Sequence, residues 1–168
     1  MSENTVRLGL PFIVSGQAQK EVTHNEALAL IDACLVPSAE AFAIDAPPVS
    51  AVAGQCWIIG GTPTGVWAGH AEALAVWTDG GWRFLGAVEG MRVWIKQQQL
   101  WATHLSEGWK LGEEPATKLV IGGDPVVGAR QASVAAPQGG TTVDMEARAA
   151  ISAIIARLED HGLVEPAS

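Results

Sequence analysis

A chain of 168 residues is long enough for one packed domain, or for one domain with an appended oligomerisation piece. Its content of 48% hydrophobic and 17% charged residues excludes a disordered chain, which carries the opposite balance. The formal charge is −8 and the ten Lys and Arg are spread singly from Arg7 to Arg157, so the basic stripe that displaces counterions from phosphates is missing and no nucleic acid is expected as a partner.

Residues 1–22 read as an arm. Within it Leu8 to Val14 is a short apolar segment broken by Pro11, which predicts an extended edge piece, and Ser15-Gly16 turns the chain. The first ten residues lack the basic and then apolar pattern of a leader, so synthesis in the cytoplasm is expected. No apolar run reaches the 18 residues that a membrane crossing needs, so no membrane insertion is expected.

Thr23-His24-Asn25-Glu26 has the spacing of a capping box and predicts a helix over 23–36, ended by Pro37. Ala27, Leu28, Ile31, Cys34 and Leu35 would form its buried side. A helix this short is marginal alone and must pack on something.

Residues 37–115 form a tryptophan-rich β domain. Its first part, 38–53, is rich in Ala, Pro and Ser and reads as a surface connection. Gln55 to Ile59 is a strand. Leu74 to Trp77 and Trp82 to Leu85 flank Thr78-Asp79-Gly80-Gly81 as a hairpin with an Asp-Gly turn signal. Met91 to Ile95 and Gln99 to Ala102 flank a second tight turn, and Gly108 to Leu111 closes the series. Trp77 with Trp82, and Trp101 with Trp109, share an apolar–Trp, polar turn, Trp–basic–apolar plan, a loose echo of two related hairpins.

Residues 116–168 read as a strand and helix module for oligomerisation. Lys118 to Ile121 and Val126 to Arg130 are strand candidates around Gly122-Gly123-Asp124-Pro125. A second helix would be capped by Thr142, carry Asp144 and Glu146 in its first turn, and stop at Gly162 with Leu163 placed for the accompanying apolar contact. Ala147, Ile151, Ile154, Leu158 and His161 recur at steps of four and three as a short heptad seam, which Ile155 widens. The spacing alone fits equally a seam between copies and a helix packed on its own domain. The expected fold is mainly β (α+β): a short N-terminal helix, a Trp-rich antiparallel meander or sandwich, then C-terminal strands and an oligomerising helix.

Seven Trp carry nearly all the aromatic surface, because Tyr is absent and Phe numbers three. Exposed indoles make flat platforms for sugar C–H faces and anchors for protein contacts, although some must also fill the core. Four or five are expected inside. Trp82 and Trp109, at turn edges, and Trp67, before Gly69, are the candidates for exposure. With His70 and Asp79 beside them they form the candidate glycan-binding set. His24, His70, His104 and His161 show no ligand spacing, so no metal and no cofactor is expected. Cys34 and Cys56 read as two small buried hydrophobes. Glycoside hydrolysis needs two carboxylates facing one bond, and Asp79, Glu89, Glu107, Glu113 and Glu114 read instead as solvated turn acids. No nucleophile elbow or phosphate-cradling loop is present, so an enzyme is not expected.

Two stretches resemble known proteins. Leu10 to Ile13 followed by Gly16 to Leu28, with the later Gly65-Val66-Trp67-Ala68-Gly69-His70 and Trp77 to Trp82 segments, is similar to an uncharacterised domain family of alphaproteobacterial phages, prophages and gene transfer agents, over about residues 8–110. Val126 to Ala132, Pro137 to Gly140 and Asp144 to Leu163 resemble the C-terminal module of phage tail fibres and spikes from the same bacteria. The resemblance implies a homotrimer assembled on a phage-like particle, with capsid or baseplate proteins and cell-surface polysaccharide as partners. It implies no catalytic residues. A structural adaptor that docks a fibre or spike to the particle is the alternative, and a polysaccharide-degrading enzyme a third.

Overall fold

Between Cys56 and Leu111, continuous apolar runs at Cys56–Ile59 and Leu74–Trp77 and mixed apolar and polar strands after them build two sheets. The computed structural model describes residues 3–13, 20–141 and 144–166. It divides into two compact units, Met1–Glu114 and Pro115–Ser168.

In the first unit, β1 (Ser38–Ala39), β5 (Arg92–Ile95), β6 (Leu100–Leu105) and β7 (Gly108–Leu111) make a four-stranded sheet in that order. A second sheet runs β2 (Cys56–Ile58), β3 (Leu74–Thr78), β4 (Gly81–Leu85). All pairs are antiparallel except the short β1–β5 contact, where Ser38 faces Trp94. The first core holds Cys56, Ile58, Leu74 and Val76 from one sheet with Ala39, Val93, Ile95 and Ala102 from the other, all buried. The second core lies on the opposite side of β2–β4, where Trp57 and Ala75 meet Ile59, Ala73 and Trp67. Both faces of the second sheet are therefore covered.

The α1 helix runs Lys20–Leu35, so Thr23 stands inside its first turn rather than at its cap. Its buried side is also different from the predicted stripe. Asp32 and Ala33 are buried, while Ile31, Cys34 and Leu35 are exposed. The reason is polar. The Asp32 carboxylate accepts the backbone N–H of Arg7 at 3.0 Å and of Leu8 at 2.7 Å. The Arg7 guanidinium donates to the helix-end carbonyls of Ala33 at 3.2 Å and Val36 at 2.6 Å, and to the Ser38 hydroxyl at 2.8 Å. Asn25 exchanges hydrogen bonds with the backbone of Ile13. The helix turns these groups inward because the arm's backbone needs partners. Among its described residues the arm joins no sheet edge; it closes on itself through an Asn4–Pro11 bridge. Val14 and Ser15-Gly16, to which that segment and its turn were assigned, lie outside the described residues.

Residues 38–53 are more than a surface connection. Ala39 is fully buried in β1, Phe42 packs on the first core and Ile44 on the second. Ile44 also bridges Ile59 in parallel. A linker beside two unpaired strand edges supplies the hydrogen bonds those edges require.

In the second unit, β8 (Leu119–Ile121) and β9 (Asp124–Val127) form a hairpin whose Gly122-Gly123 loop takes φ of 61° and 98°, the two positive values a type I′ turn demands. The α2 helix runs Met145–Asp160. Asp144 is its cap, accepting the Ala147 N–H at 2.8 Å; Thr142, the expected cap, lies outside the described residues. Gly162 ends it at φ 68°, with Leu163 N–H bonded to Leu158 carbonyl and Gly162 N–H to Glu159 carbonyl, a Schellman stop. Among the described residues no helix is long and apolar enough to cross a membrane.

Candidate functional site

The two sheets treat their outward-facing tryptophans in opposite ways. On β2–β4, cross-strand partners Trp77 and Trp82 meet edge to face at 4.9 Å and 70°. The segment from Ile59 to Ala73 folds back over this face, and its 3-10 turn Gly65–Trp67 drops Trp67 onto Trp82 at 5.1 Å and Trp57 at 6.4 Å. The result is a four-indole cluster with Trp67 completely buried. Its Nε1–H finds no acceptor among the described residues.

On β5–β6 a similar pair is left partly open, with Trp94 half-buried and Trp101 exposed. Val93 and Ile95 point into the first core, so Arg92 and Trp94 point outward. Their partners across the strand are Thr103 and Trp101. Trp94 and Trp101 meet edge to face at 5.4 Å and 69°, nearly the geometry of the Trp77–Trp82 pair. Trp101 keeps 40% of its surface in solvent and Leu100 beside it 45%. The Arg92 guanidinium sits 5.0 Å over the Trp101 ring and is ion-paired with Glu114, which fixes the indole in place. Lys110, opposite Thr103, completes the row and pairs with Glu107 at 3.5 Å.

The expected glycan-binding set is not one surface. Trp67 is not exposed: closure of the 59–73 segment makes it the centre of the second core, where no sugar face can reach it. Trp82 is half-buried beneath it. Trp109 packs its ring against the first core and donates its Nε1–H to the Glu72 carbonyl at 2.7 Å, with His104 edge-on at 5.1 Å. His70 stacks flat on Phe84 at 3.7 Å. Asp79 is exposed at the tip of the β3–β4 hairpin. The structure brings His70 and Trp82 to one sheet face and leaves Trp109 on the other sheet.

Trp94, Trp101 and Arg92 were not among the predicted contacts. Strand alternation carries the signal: with Val93, Ile95 and Ala102 inside, residues 92, 94 and 101 must face out. Both hairpins of the sequence echo form, β3–β4 and β6–β7, but only the first sets its two Trp opposite each other. Trp101 pairs with Trp94, whereas Trp109 pairs with His104.

The second unit offers a surface of another kind. Every residue of β8 and β9 is exposed, including Leu119, Val120, Ile121, Val126 and Val127. On α2, Ala147, Ile151 and Ile154 are exposed and Leu158 is half-buried. Ile155, expected to widen the outward seam, is instead buried, as is Val164. The helix therefore buries Ile155 and leaves Ile151 and Ile154 in solvent.

Asp45 accepts the Thr62 hydroxyl at 2.7 Å and its N–H at 3.0 Å, which hold its carboxyl below the usual range. Cys56 is buried, and desolvation pushes its thiol up to about 11. Cys34, expected inside, is exposed near the end of α1. Among the described residues no three His, Cys, Asp or Glu side chains converge as a metal site.

No curated protein matches the chain. Residues 24–110, from the first turns of α1 into β7 and just over half of the 168, match the model of the family described as "Protein of unknown function (DUF2793)". The chain belongs to that uncharacterised family, and the match spans both sheets and both tryptophan faces.

Proposed function

We propose that this protein is a non-enzymatic recognition subunit of a phage-like particle or gene transfer agent, binding host-surface polysaccharide through the outer face of β5–β6. The observation that carries the reading is the contrast between the two sheets. One Trp pair is covered by a segment that inserts a third indole, while in the matching pair Trp94 is half-buried and Trp101, under Arg92, keeps 40% of its surface in solvent. Leaving a large indole wet gives up burial free energy, and rigid aromatic surface is the common anchor of binding sites. The particle itself is suggested by the likeness of the opening and closing stretches to phage and gene-transfer-agent proteins. The apolar surfaces of β8, β9 and α2 support assembly as a homotrimer, in which several weak sites act together.

Adsorption to host cells and to their extracted polysaccharide tests the reading. Trp101→Ala is expected to weaken adsorption at least tenfold without releasing or altering product, a loss of about 1.4 kcal/mol per site. Full adsorption by this variant would defeat the proposal, and release of shortened polysaccharide by the wild type would point to an enzyme instead. A second reading, an adaptor that docks a spike to the capsid or baseplate, is favoured by exposed Val6, Leu8 and Ile13 on the latched arm. Deleting residues 1–14 separates the two, because an adaptor loses particle incorporation and keeps its glycan binding.

A further inference from the structure

The open Trp94–Trp101 face ends at the β5–β6 hairpin tip, and that tip is Lys96-Gln97-Gln98-Gln99, exposed throughout. The tip is closed by the Gln99 N–H donating to the Ile95 carbonyl at 2.8 Å, and Gln99 is held at φ 56°. That is a left-handed conformation that glycine would adopt without the cost, on the order of 1 kcal/mol, that a side chain brings. The chain keeps a third amide there instead.

We infer that the face and its tip form one site for an uncharged, hydroxyl-rich polysaccharide, with the exposed Trp101 indole against a sugar ring, the half-buried Trp94 beside it, and the amides of Gln97 and Gln98 on the hydroxyls. The inference rests on the binding reading above and narrows it to a ligand class. Each carboxamide both donates and accepts, which matches hydroxyl groups and does not discriminate for anions. The cations around the face are already engaged: Arg92 with Glu114, Lys96 with Glu40 at 2.6 Å, and Lys110 with Glu107 at 3.5 Å. A uronate or sulfate polymer would have to break these pairs and approach a chain of charge −8. A neutral polymer meets neither cost.

The test uses the full chain on immobilised neutral polymers (dextran, mannan and galactomannan) and on polygalacturonate, at about 0.05 and 0.5 M sodium chloride, where screening differs severalfold. The expected result is binding to a neutral polymer that is unchanged by salt. Trp101→Ala and the Gln97→Ala/Gln98→Ala pair should each weaken it about tenfold, the second because two hydrogen bonds of ordinary net strength are lost. Binding to polygalacturonate that falls with salt and is lost in Trp101→Ala would overturn the ligand class and leave the binding face intact. No binding to any polymer, or binding indifferent to Trp101→Ala, would overturn both. Since the amides sit on an exposed tip, unchanged thermal unfolding of the Gln97→Ala/Gln98→Ala variant separates lost recognition from lost folding.

Discussion

Two tryptophans separated by 34 positions in the chain show how little residue type alone says about role. Trp67 is completely buried among other indoles, and Trp101 keeps 40% of its surface in solvent. Truncating a buried aromatic leaves a cavity that the packed surroundings fill only partly, so Trp67→Ala should cost about 3–5 kcal/mol in chemical denaturation. Trp101→Ala should cost about 1 kcal/mol or less, since surface side chains contribute little to packing. Equal losses for the two would mean that Trp101 is structural after all. The misassignment of Trp67 has a physical origin. Flanking glycines mark turns, and turns are usually exposed, yet here the turn folds inward because the β2–β4 face offers a wide apolar surface to cover.

Hairpins were the most legible elements. Thr78-Asp79-Gly80-Gly81 and Gly122-Gly123 carry turn chemistry that permits few alternatives, and the structure builds both hairpins there. The α1 helix was legible in place but not in orientation. Its apolar residues predicted one face, and a long-range polar latch, Asp32 with the backbone of Arg7 and Leu8, selected another. Such a contact spans about two dozen residues and leaves no local pattern to read. If the latch holds the arm, Asp32→Ala strips buried donors of their acceptor and should destabilise the chain by about 1–3 kcal/mol. It should also open residues near the arm to limited proteolysis. Wild-type protection in this variant would show that the apolar contacts of the arm suffice without Asp32. The candidate site itself was only half legible: the aromatic content and hairpin positions were evident, but the choice of face depended on which strand residues the first core recruits.

At the scale of the whole molecule, the two units use apolar residues differently. The first unit builds two cores. The second buries Ile155 and Val164 while leaving a hairpin exposed on both sides, and a two-stranded hairpin with no covered face is marginal in water. Copies of the same chain are the proposed cover. Light scattering should then give about three times the 17.5 kDa chain mass, and Ile151→Asp with Ile154→Asp should return the monomer. A wild-type monomer would rule out the trimer and leave the β5–β6 face standing.

If one tryptophan face is structural and the other serves recognition, oxidative footprinting separates the two. Tryptophan oxidation, read by mass spectrometry with and without host polysaccharide, follows the solvent access of each indole separately. Polysaccharide should protect Trp101 and Trp94 and leave the slow oxidation of Trp57 and Trp67 unchanged. Protection centred on Trp82 or Trp109, or none at Trp101, would contradict this division.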